Sequence, residues 1–140
     1  MSETLEAKAP AQTVVKGGVV AYINVDGARA AAKFYEKAFG ATIESEYPPD
    51  EQGRTMHVHL YVNGSSLMLS DFYPEQGFPK VAPQGYCLML MVDNIHARFQ
   101  RAVDAGCEVV MPVEKMFWGD TYGQLRDPYG VLWSMNQPEA

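Results

Sequence analysis

Two histidines, His57 and His59, stand two residues apart in a stretch of alternating apolar and polar residues, and Tyr61 follows at the same spacing. Alternate side chains of a β-strand lie on opposite faces of the sheet, so these three side chains share one face. Imidazoles can hydrogen-bond or exchange protons near neutral pH, but two of them without a carboxylate are too few ligands for a metal ion. This face is therefore either a ligand-binding surface with acid/base groups, or a face covered by solvent or by a second copy of the chain.

A first run of five elements surrounds these histidines. In order, we predict a strand over 18–25, a helix that Asp26 caps and Gly40 ends, and strands over 41–47, 55–62 and 66–71. The helix carries an apolar stripe at three- to four-residue spacing, which consists of Ala30, Ala31, Phe34, Tyr35 and Ala38. A loop is expected over 48–53, and the Asn63–Gly64 pair predicts a tight hairpin between the last two strands.

The same order of elements returns after residue 85. It comprises a strand over 86–92, a helix that Asp93 caps and Gly106 ends, and strands over 108–113, 116–118, 124–127 and 131–136. The apolar positions of this helix are Ile95, Phe99, Ala102 and Val103. Residues 127–130 read Asp-Pro-Tyr-Gly, which predicts a type I turn held by the Asp127 side chain.

The two runs form an internal repeat with a nearly constant offset. Asp26 and Asp93 are 67 residues apart, whereas Gly40 and Gly106, and likewise Gly64 and Gly130, are 66 residues apart. A single unit of this kind cannot cover both faces of its sheet, so the two should associate. We predict an α+β fold in which one domain over 17–137 contains two βαβββ modules, 17–71 and 86–137. A linker or lid over 72–85 joins them, and a disordered tail over 1–16 precedes them.

Strand alternation sorts the side chains of each module into two faces. The apolar set Met56, Val58, Leu60, Val62, Leu67 and Leu69 should lie under the first helix, and Leu88, Leu90 and Val92 under the second. The opposite, concave face then carries His57, His59, Tyr61, Ser66, Met68 and Ser70 in the first module, and Cys87, Met89 and Met91 in the second. A partly polar, methionine-lined face suits a small organic ligand better than a dry core.

Aromatic residues add candidate binding area near the end of the chain. Trp118 and Tyr122 flank a glycine-containing loop and could line the mouth of a pocket that stacks on planar ligands. Trp133 falls on the helix side of its strand, which favours core packing. Arg126 could bind an acidic group of a ligand or form an ion pair on the surface.

Composition excludes several classes of function. The chain has 140 residues, 47% of them apolar and 20% charged, with a net charge of −6. A globular domain is therefore expected, and an acidic one has no basic stripe for nucleic acid or for an anionic membrane surface. No apolar run is long enough to span a bilayer, and residues 1–12 do not resemble a signal peptide. We therefore expect a cytoplasmic protein without nucleic-acid or membrane partners.

The cysteines and the known nucleotide or hydrolase motifs point to no site. Cys87 and Cys107 lie in different predicted elements and should be free thiols in a reducing compartment. The chain has no CxxC pair, no GxSxG and no phosphate-binding glycine loop.

Several segments resemble the vicinal oxygen chelate superfamily, which includes glyoxalase I, extradiol dioxygenases, and fosfomycin and bleomycin resistance proteins. The resemblance covers about residues 17–137 and is carried by the duplicated order of elements and by the segments AAKFYEKAFGA, NGSSLMLSD and WGDTYGQLRDPYGVLWSM. The last of these is similar to the PhnB-like subgroup. The resemblance implies mixed sheets that curl round a concave groove, and frequent dimerisation.

The resemblance also implies where a metal site would lie. Metal enzymes of the superfamily place ligands, usually His and Glu, on the first and last strand of each module. The matching positions here are Val20, Met68, Cys87 and Ser134. Valine cannot ligate, a thioether is a weak ligand for hard divalent ions, and no carboxylate or imidazole is present. We therefore expect no metal and no cofactor at this position.

Three functions remain in competition. A metal-independent protein that binds a small organic ligand in the groove is favoured, with an acid/base enzyme that uses His57, His59 or Tyr61 without metal as the next alternative. A metal-dependent lyase, transferase or dioxygenase is the third. The ligand-groove candidates are Tyr22, His57, His59, Tyr61, Met68, Cys87, Met89, Trp118, Tyr122, Arg126 and Ser134. A homodimer is expected, with grooves built from both chains.

Overall fold

The structure is a computed structural model that describes residues 14–140. These residues fall into two compact units. The first takes in residues 14–36 and Gly40–Val81, and the second takes in Lys37–Phe39 and Ala82–Ala140. Each unit is built around one four-stranded sheet.

The first unit has the predicted βαβββ order. Its elements are β1 (Ala21–Asn24), α1 (Ala28–Phe39, whose last three residues group with the second unit), β2 (Thr42–Glu46), β3 (Val58–Val62) and β4 (Ser65–Ser70). The strands lie in the order β1-β4-β3-β2. The β1–β4 pair is parallel and the other pairs are antiparallel, so the sheet is mixed.

The second unit repeats this arrangement. Its elements are β5 (Leu88–Met91), α2 (Ile95–Ala105), β6 (Glu108–Lys115), β7 (Thr121–Arg126) and β8 (Leu132–Gln137). The strand order β5-β8-β7-β6 is that of the first sheet, again with one parallel and two antiparallel pairs. Two helices and two mixed four-stranded sheets therefore confirm the predicted α+β fold with duplicated modules.

The apolar face of β3 and β4 matches the predicted alternation in all but one position. The side chains of Val58, Leu60, Val62, Leu67 and Leu69 are buried. The inclusion of Met56 in this set was wrong, because β3 begins at Val58 and the alternation does not extend back to Met56, whose side chain is 48% exposed.

The stripe predicted for α1 was shifted by part of a turn. Ala30 is exposed and Phe34 is only half-buried. The buried face consists of Ala28, Ala31, Ala32, Tyr35, Ala38 and Phe39. The predicted stripe is therefore rotated about the helix axis relative to the face that is buried. The buried face begins at Ala28 and continues at three- and four-residue steps.

Neither helix is capped by the aspartate that the sequence suggested. Asp26 is not the cap of α1, because the carboxylate of Asp71 accepts hydrogen bonds from the Gly27 and Ala28 amides. Asp93 is likewise not the cap of α2, where the Gln137 side chain accepts a hydrogen bond from the Ile95 amide. Both acceptors come from the end of the sheet rather than from the residue next to the helix.

The turn predictions are confirmed. Asn63 and Gly64 have φ values of 52° and 86°, the left-handed conformations that a two-residue type I′ hairpin requires. The Asp127 carboxylate accepts hydrogen bonds from the amides of Tyr129 and Val131 at 2.8 and 2.9 Å, and so holds the second turn. Its other oxygen accepts a hydrogen bond from the indole N–H of Trp133. The Trp133 side chain is buried in the core, as its position on the helix side of the strand predicted.

The connection between β6 and β7 differs from the prediction. Residues 116–118 were expected to form a strand, but β6 ends at Lys115 and a turn follows, closed by a hydrogen bond from the Gly119 amide to the Met116 carbonyl. In residues 14–140, neither helix has the length and apolar character needed to cross a membrane.

Candidate functional site

The sheet register of the first unit brings three predicted site residues side by side. Tyr22 on β1 pairs with Met68 on β4, and Met68 pairs with His59 on β3. One row across the polar face therefore reads Tyr22, Met68, His59. Asn24 and Ser70 form the neighbouring pair on this face.

Tyr22 reaches across β4 to the residues that lead into β3. Its phenol oxygen lies 2.9 Å from the Met56 carbonyl oxygen and 3.0 Å from His57 Nδ1. The His57 ring is close to two tyrosine rings, with centroid distances of 5.7 Å to Tyr22 and 5.1 Å to Tyr47. This group combines an imidazole, two phenols and a carbonyl oxygen in direct or near contact.

Burial sets the protonation of this group. It lowers the pKa of His57, and the neighbouring imidazole of His59 lowers it further. Burial, followed by the effect of Tyr47, raises the pKa of Tyr22. Near neutral pH the group is therefore a neutral imidazole beside a protonated phenol.

Two open cavities of about 430 and 290 Å³ lie in the first unit and share Met56, Tyr73 and Gln76 as lining residues. The larger one is also lined by Tyr22, Asn24, Ser70, Asp71 and Phe78, and the smaller one by Tyr47, Pro48, Asp50 and Arg54. We call the two together the aromatic groove, because tyrosine rings occur in both linings and Phe78 adds a ring to the larger one. Of the predicted site residues, Tyr22 lines it and His57 contacts residues that line it.

Arg54 lines the smaller cavity of the aromatic groove and is fixed by two carboxylates. The Arg54 guanidinium donates to the Asp50 carboxylate at 2.9 Å and to the two carboxylate oxygens of Glu75 at 3.2 and 2.7 Å. It also lies 4.4 Å from the centroid of the Tyr73 ring. The hydrogen bond to Glu75 raises the pKa of Arg54, so this cation stays charged.

Sequence reasoning missed most of the lining residues. Tyr73 and Phe78 lie in the predicted linker, Tyr47 ends a predicted strand, and Arg54 lies between the predicted loop and the next strand. The aromatic residues in the long, irregular segment could have been predicted as binding residues, because such loops often carry them.

His59 does not face an open groove, which corrects its place among the ligand-groove candidates, whereas Tyr61 remains partly exposed. The His59 side chain is fully buried, and its Nε2 lies 2.7 Å from the Ser66 hydroxyl. The Tyr61 hydroxyl donates to the Val14 carbonyl at 2.6 Å, and the Lys16 ammonium lies 4.2 Å from the centroid of the Tyr61 ring.

The segment that covers this part of the sheet was predicted to belong to the disordered tail. Both backbone groups of Lys16 bond to Ser66, since its carbonyl accepts from the Ser66 amide and its amide donates to the Ser66 side-chain hydroxyl. The rest of the predicted tail, residues 1–13, lies outside the described residues.

The second unit brings other predicted residues together on its own sheet. Met89 pairs with Ser134, whose hydroxyl lies 3.5 Å from the Cys87 sulfur. The rings of Trp118 and Tyr122 lie 6.4 Å apart. None of these five residues lines the aromatic groove.

Arg126 supports the chain's last turn. Its guanidinium donates to the Gly130 carbonyl at 3.0 Å. The sequence left two alternatives for Arg126, ligand binding or a surface ion pair. The contact with Gly130 is neither of these, because it stabilises the turn before β8.

The residues at the superfamily's metal positions do not fit a divalent ion. Val20, Met68, Cys87 and Ser134 offer one thioether, one thiol and one hydroxyl, with no imidazole or carboxylate. Within residues 14–140, no three His, Cys, Asp or Glu side chains are grouped so that they could hold a metal ion. We therefore derive no chemistry through a metal at these positions.

Duplicated βαβββ units with mixed sheets and no closed barrel define a glyoxalase-like α+β protein. Residues 15–135 match the Glyoxalase/Bleomycin resistance protein/Dioxygenase superfamily, and the chain belongs to it.

Relatives of known sequence or structure agree with this assignment. The chain is 38% identical over 123 residues to the uncharacterized protein Mb0911c of Mycobacterium bovis, covering 84% of this chain and 80% of that protein. The structure of PA1353 from Pseudomonas aeruginosa is 30% identical with a TM-score of 0.72, covering 89% and 99%. The PhnB protein from Bacillus cereus shares the fold at 19% identity with a TM-score of 0.67, covering 86% and 99%.

Proposed function

We propose that this protein binds a small planar organic ligand in the aromatic groove, without the metal site of the superfamily's enzymes. The observation that carries the proposal is the pair of open cavities that share Met56, Tyr73 and Gln76. A volume of about 430 Å³ in the larger cavity lies within the range of about 300–1,000 Å³ that is typical of small-molecule sites.

The lining favours a flat, ring-containing ligand. Tyr22 and Phe78 offer rings in the larger cavity and Tyr47 in the smaller one, while Tyr73 belongs to both. Aromatic rings gain about 0.5–1.5 kcal/mol per offset or edge contact beyond the area they bury. Met56 adds a flexible, polarisable side chain that adapts to different ring shapes.

Titration calorimetry with 2-naphthol and 2-methoxynaphthalene tests the proposal. We expect saturable binding of at least one of them, and a loss of about fivefold in affinity for Tyr73→Ala, which removes one ring contact. Phe117→Ala is the matched control, because Phe117 is 97% exposed and lies outside the aromatic groove. Absence of binding by both compounds, or equal losses in the two variants, would contradict the proposed function.

A metal-free acid/base enzyme is the second candidate, and one observation favours it. His57 is held neutral beside the phenol of Tyr22, so it can accept a proton near neutral pH. His59 is buried and Tyr61 is engaged by Val14 and Lys16, so these two proposed acid/base groups are weaker candidates for this role. Turnover of a bound compound that is lost in His57→Phe but not in His59→Leu would support this alternative.

Two further properties are part of the proposal. We expect a homodimer, because the second unit exposes Met89, Met91, Val109 and Val110. Sedimentation as a species of 15.5 kDa at micromolar concentration would contradict it. We also expect the protein to reside in the cytoplasm, where Cys87 and the buried Cys107 would remain free thiols.

A further inference from the structure

The hydroxyl of Tyr22 determines which nitrogen of His57 carries the proton. A phenol has one hydrogen, and a carbonyl oxygen can only accept, so the 2.9 Å contact with the Met56 carbonyl uses that hydrogen. The 3.0 Å contact with His57 is then a hydrogen bond only if Nδ1–H donates to the phenol oxygen. The alternative, in which the phenol donates to Nδ1, would leave two oxygen atoms 2.9 Å apart with no hydrogen between them.

This arrangement leaves the other ring nitrogen as an acceptor. A neutral imidazole with a proton on Nδ1 has a lone pair on Nε2. Within residues 14–140, Nε2 of His57 has no hydrogen-bond partner, and it is not one of the buried polar atoms that lack one. It is therefore accessible and can accept a hydrogen bond from a bound molecule.

The position of His57 connects this acceptor to the aromatic groove. Its ring is close to Tyr22, which lines the larger cavity, and to Tyr47, which lines the smaller one. Met56, the residue before it, lines both. His57 itself lines neither cavity, so a flat ligand would reach its ring only by extending past Tyr22 or Tyr47 to the edge of the groove.

The charges of the aromatic groove disfavour an anion. Arg54 is the one cation among the described lining residues, and its guanidinium is already bound by Asp50 and Glu75. Asp71 adds a buried carboxylate to the larger cavity. An anionic ligand would therefore meet more carboxylates than cations and would find no unpaired positive charge among these residues.

We propose that the aromatic groove selects planar ligands that donate a hydrogen bond from an O–H or N–H group and carry no negative charge, with His57 Nε2 as the acceptor. This inference rests on the proposed function, because it names the ligand class of the same groove. Phenols, indoles and protonated aromatic amines belong to this class, whereas aryl ethers and aryl carboxylates do not.

Three probes with the same ring system separate the contributions. 2-Naphthol donates a hydrogen bond, 2-methoxynaphthalene cannot, and 2-naphthoate is an anion. At about pH 7.5, where imidazole is neutral, we expect 2-naphthol to bind about fivefold more tightly than 2-methoxynaphthalene, the effect of one hydrogen bond, and 2-naphthoate to bind most weakly. Equal binding of the first two would overturn the role of the acceptor while leaving the groove intact. Tightest binding of 2-naphthoate would overturn the charge argument, and no binding at all would reject the proposed function as well.

A variant and a direct measurement test His57 itself. His57→Phe keeps a ring beside Tyr22 and Tyr47 but removes both nitrogens, so the preference for 2-naphthol should disappear while 2-methoxynaphthalene still binds. A preference that persists in this variant would show that another group accepts the hydrogen bond. Long-range proton–nitrogen NMR reads the tautomer without a ligand, and only three histidines need to be assigned. A proton on Nε2 would overturn the inference without affecting the proposed function.

Discussion

Asp71 and Gln137 play the same part in the two units. Asp71 follows β4 and its carboxylate accepts hydrogen bonds from the first amides of α1, at 2.7 Å from Gly27 and 3.1 Å from Ala28. Gln137 ends β8, and its side-chain oxygen accepts a hydrogen bond at 2.9 Å from Ile95, the first residue of α2. The two residues are 66 positions apart, the offset of the repeat, so duplication has kept the position of the cap while its chemistry changed from carboxylate to amide.

Replacement of Asp71 should be among the most destabilising single changes in the first unit. Its side chain is 3% exposed and accepts from the amides of Gly27, Ala28 and Thr55. Asp71→Ala leaves these three donors without an acceptor, and we expect a loss of about 3 kcal/mol in the free energy of unfolding, measured with urea. Asp26→Ala is the control, because that exposed residue should cost about 0.5 kcal/mol or less. Similar losses in both variants would contradict the assignment of the cap.

Replacement of Gln137 should cost less than replacement of Asp71. The side chain of Gln137 accepts one amide hydrogen bond instead of three, so Gln137→Ala should lower the free energy of unfolding by about 1 kcal/mol. Gln84→Ala, at an exposed position outside the strands and helices, provides the comparison and should stay within about 0.5 kcal/mol of the parent. A neutral Gln137→Ala would mean that α2 needs no acceptor at its first turn.

The burial of His59 predicts a strong dependence on side-chain volume. His59→Ala should lower the free energy of unfolding by about 2–3 kcal/mol, because it opens a cavity and removes the bond to Ser66. His59→Leu should cost about 1 kcal/mol or less, since it fills the space and removes Nδ1, a buried atom without a partner in residues 14–140. His96→Ala, at an exposed position of α2, is the control. If His59→Ala were as mild as His96→Ala, the burial of His59 would be refuted.

Acidification should destabilise the protein through His57. The pKa of His57 in the folded chain lies below the value of about 6.5 expected when unfolded, so the unfolded chain binds more protons between these two values. Stability is therefore lost as the pH falls from about 6.5 towards the lowered pKa. The titratable groups near His57 are Tyr22 from β1, Tyr47 from the loop after β2 and His59 from β3, the strand that His57 precedes.

Urea unfolding at about pH 7.5 and about pH 5, on either side of the usual histidine pKa, measures this effect. We expect His57→Phe to lose less stability between the two values than the parent protein, because the difference isolates the proton taken up by His57. A larger loss of unfolding free energy in His57→Phe than in the parent protein would contradict the predicted effect of His57 protonation.

Gly123 on β7 should not tolerate a side chain. A Cβ atom there would lie 2.8 Å from a ring carbon of Phe99 and 2.9 Å from a methyl group of Val113. Gly123→Ala should therefore cost about 1–3 kcal/mol through overpacking, as measured by thermal or urea unfolding. Gly18→Ala meets no atom within 4 Å and should be close to neutral. A stable Gly123→Ala would mean that α2 and β6 can move apart without cost.

Local patterns alone predicted the repeat, the order of the elements and the inward faces of the strands. A period of two places Val58, Leu60 and Val62 on one buried apolar face, and Asn63–Gly64 specifies its own turn through left-handed backbone angles. Asp127 likewise binds amides only two and four residues ahead. Each of these features depends on interactions within a few residues, which is why the sequence was sufficient for them.

The helix caps and the aromatic groove depend on residues that are distant in the chain. The amide of Ala28 is bound by a carboxylate 43 residues away, although Asp26 stands next to the helix. Arg54, which lines the groove from an irregular segment, meets Glu75 of a 3-10 turn (Pro74–Gln76) across 21 residues. No periodicity governs such segments, so only their packing reveals which side chains meet.

His57 and His59 summarise what the sequence determined by itself and what only the tertiary structure decided. Their spacing predicted both on one face of one strand, by the alternation of a β-strand, but β3 begins at Val58, so His59 lies on it and His57 lies just before it. What covers each ring is a matter of long-range contacts. Lys16 folds over Ser66 beside His59, while Tyr22 crosses β4 to reach His57. One imidazole is therefore buried and the other is accessible, because burial is set by the segments that pack against a strand and not by the strand's own sequence.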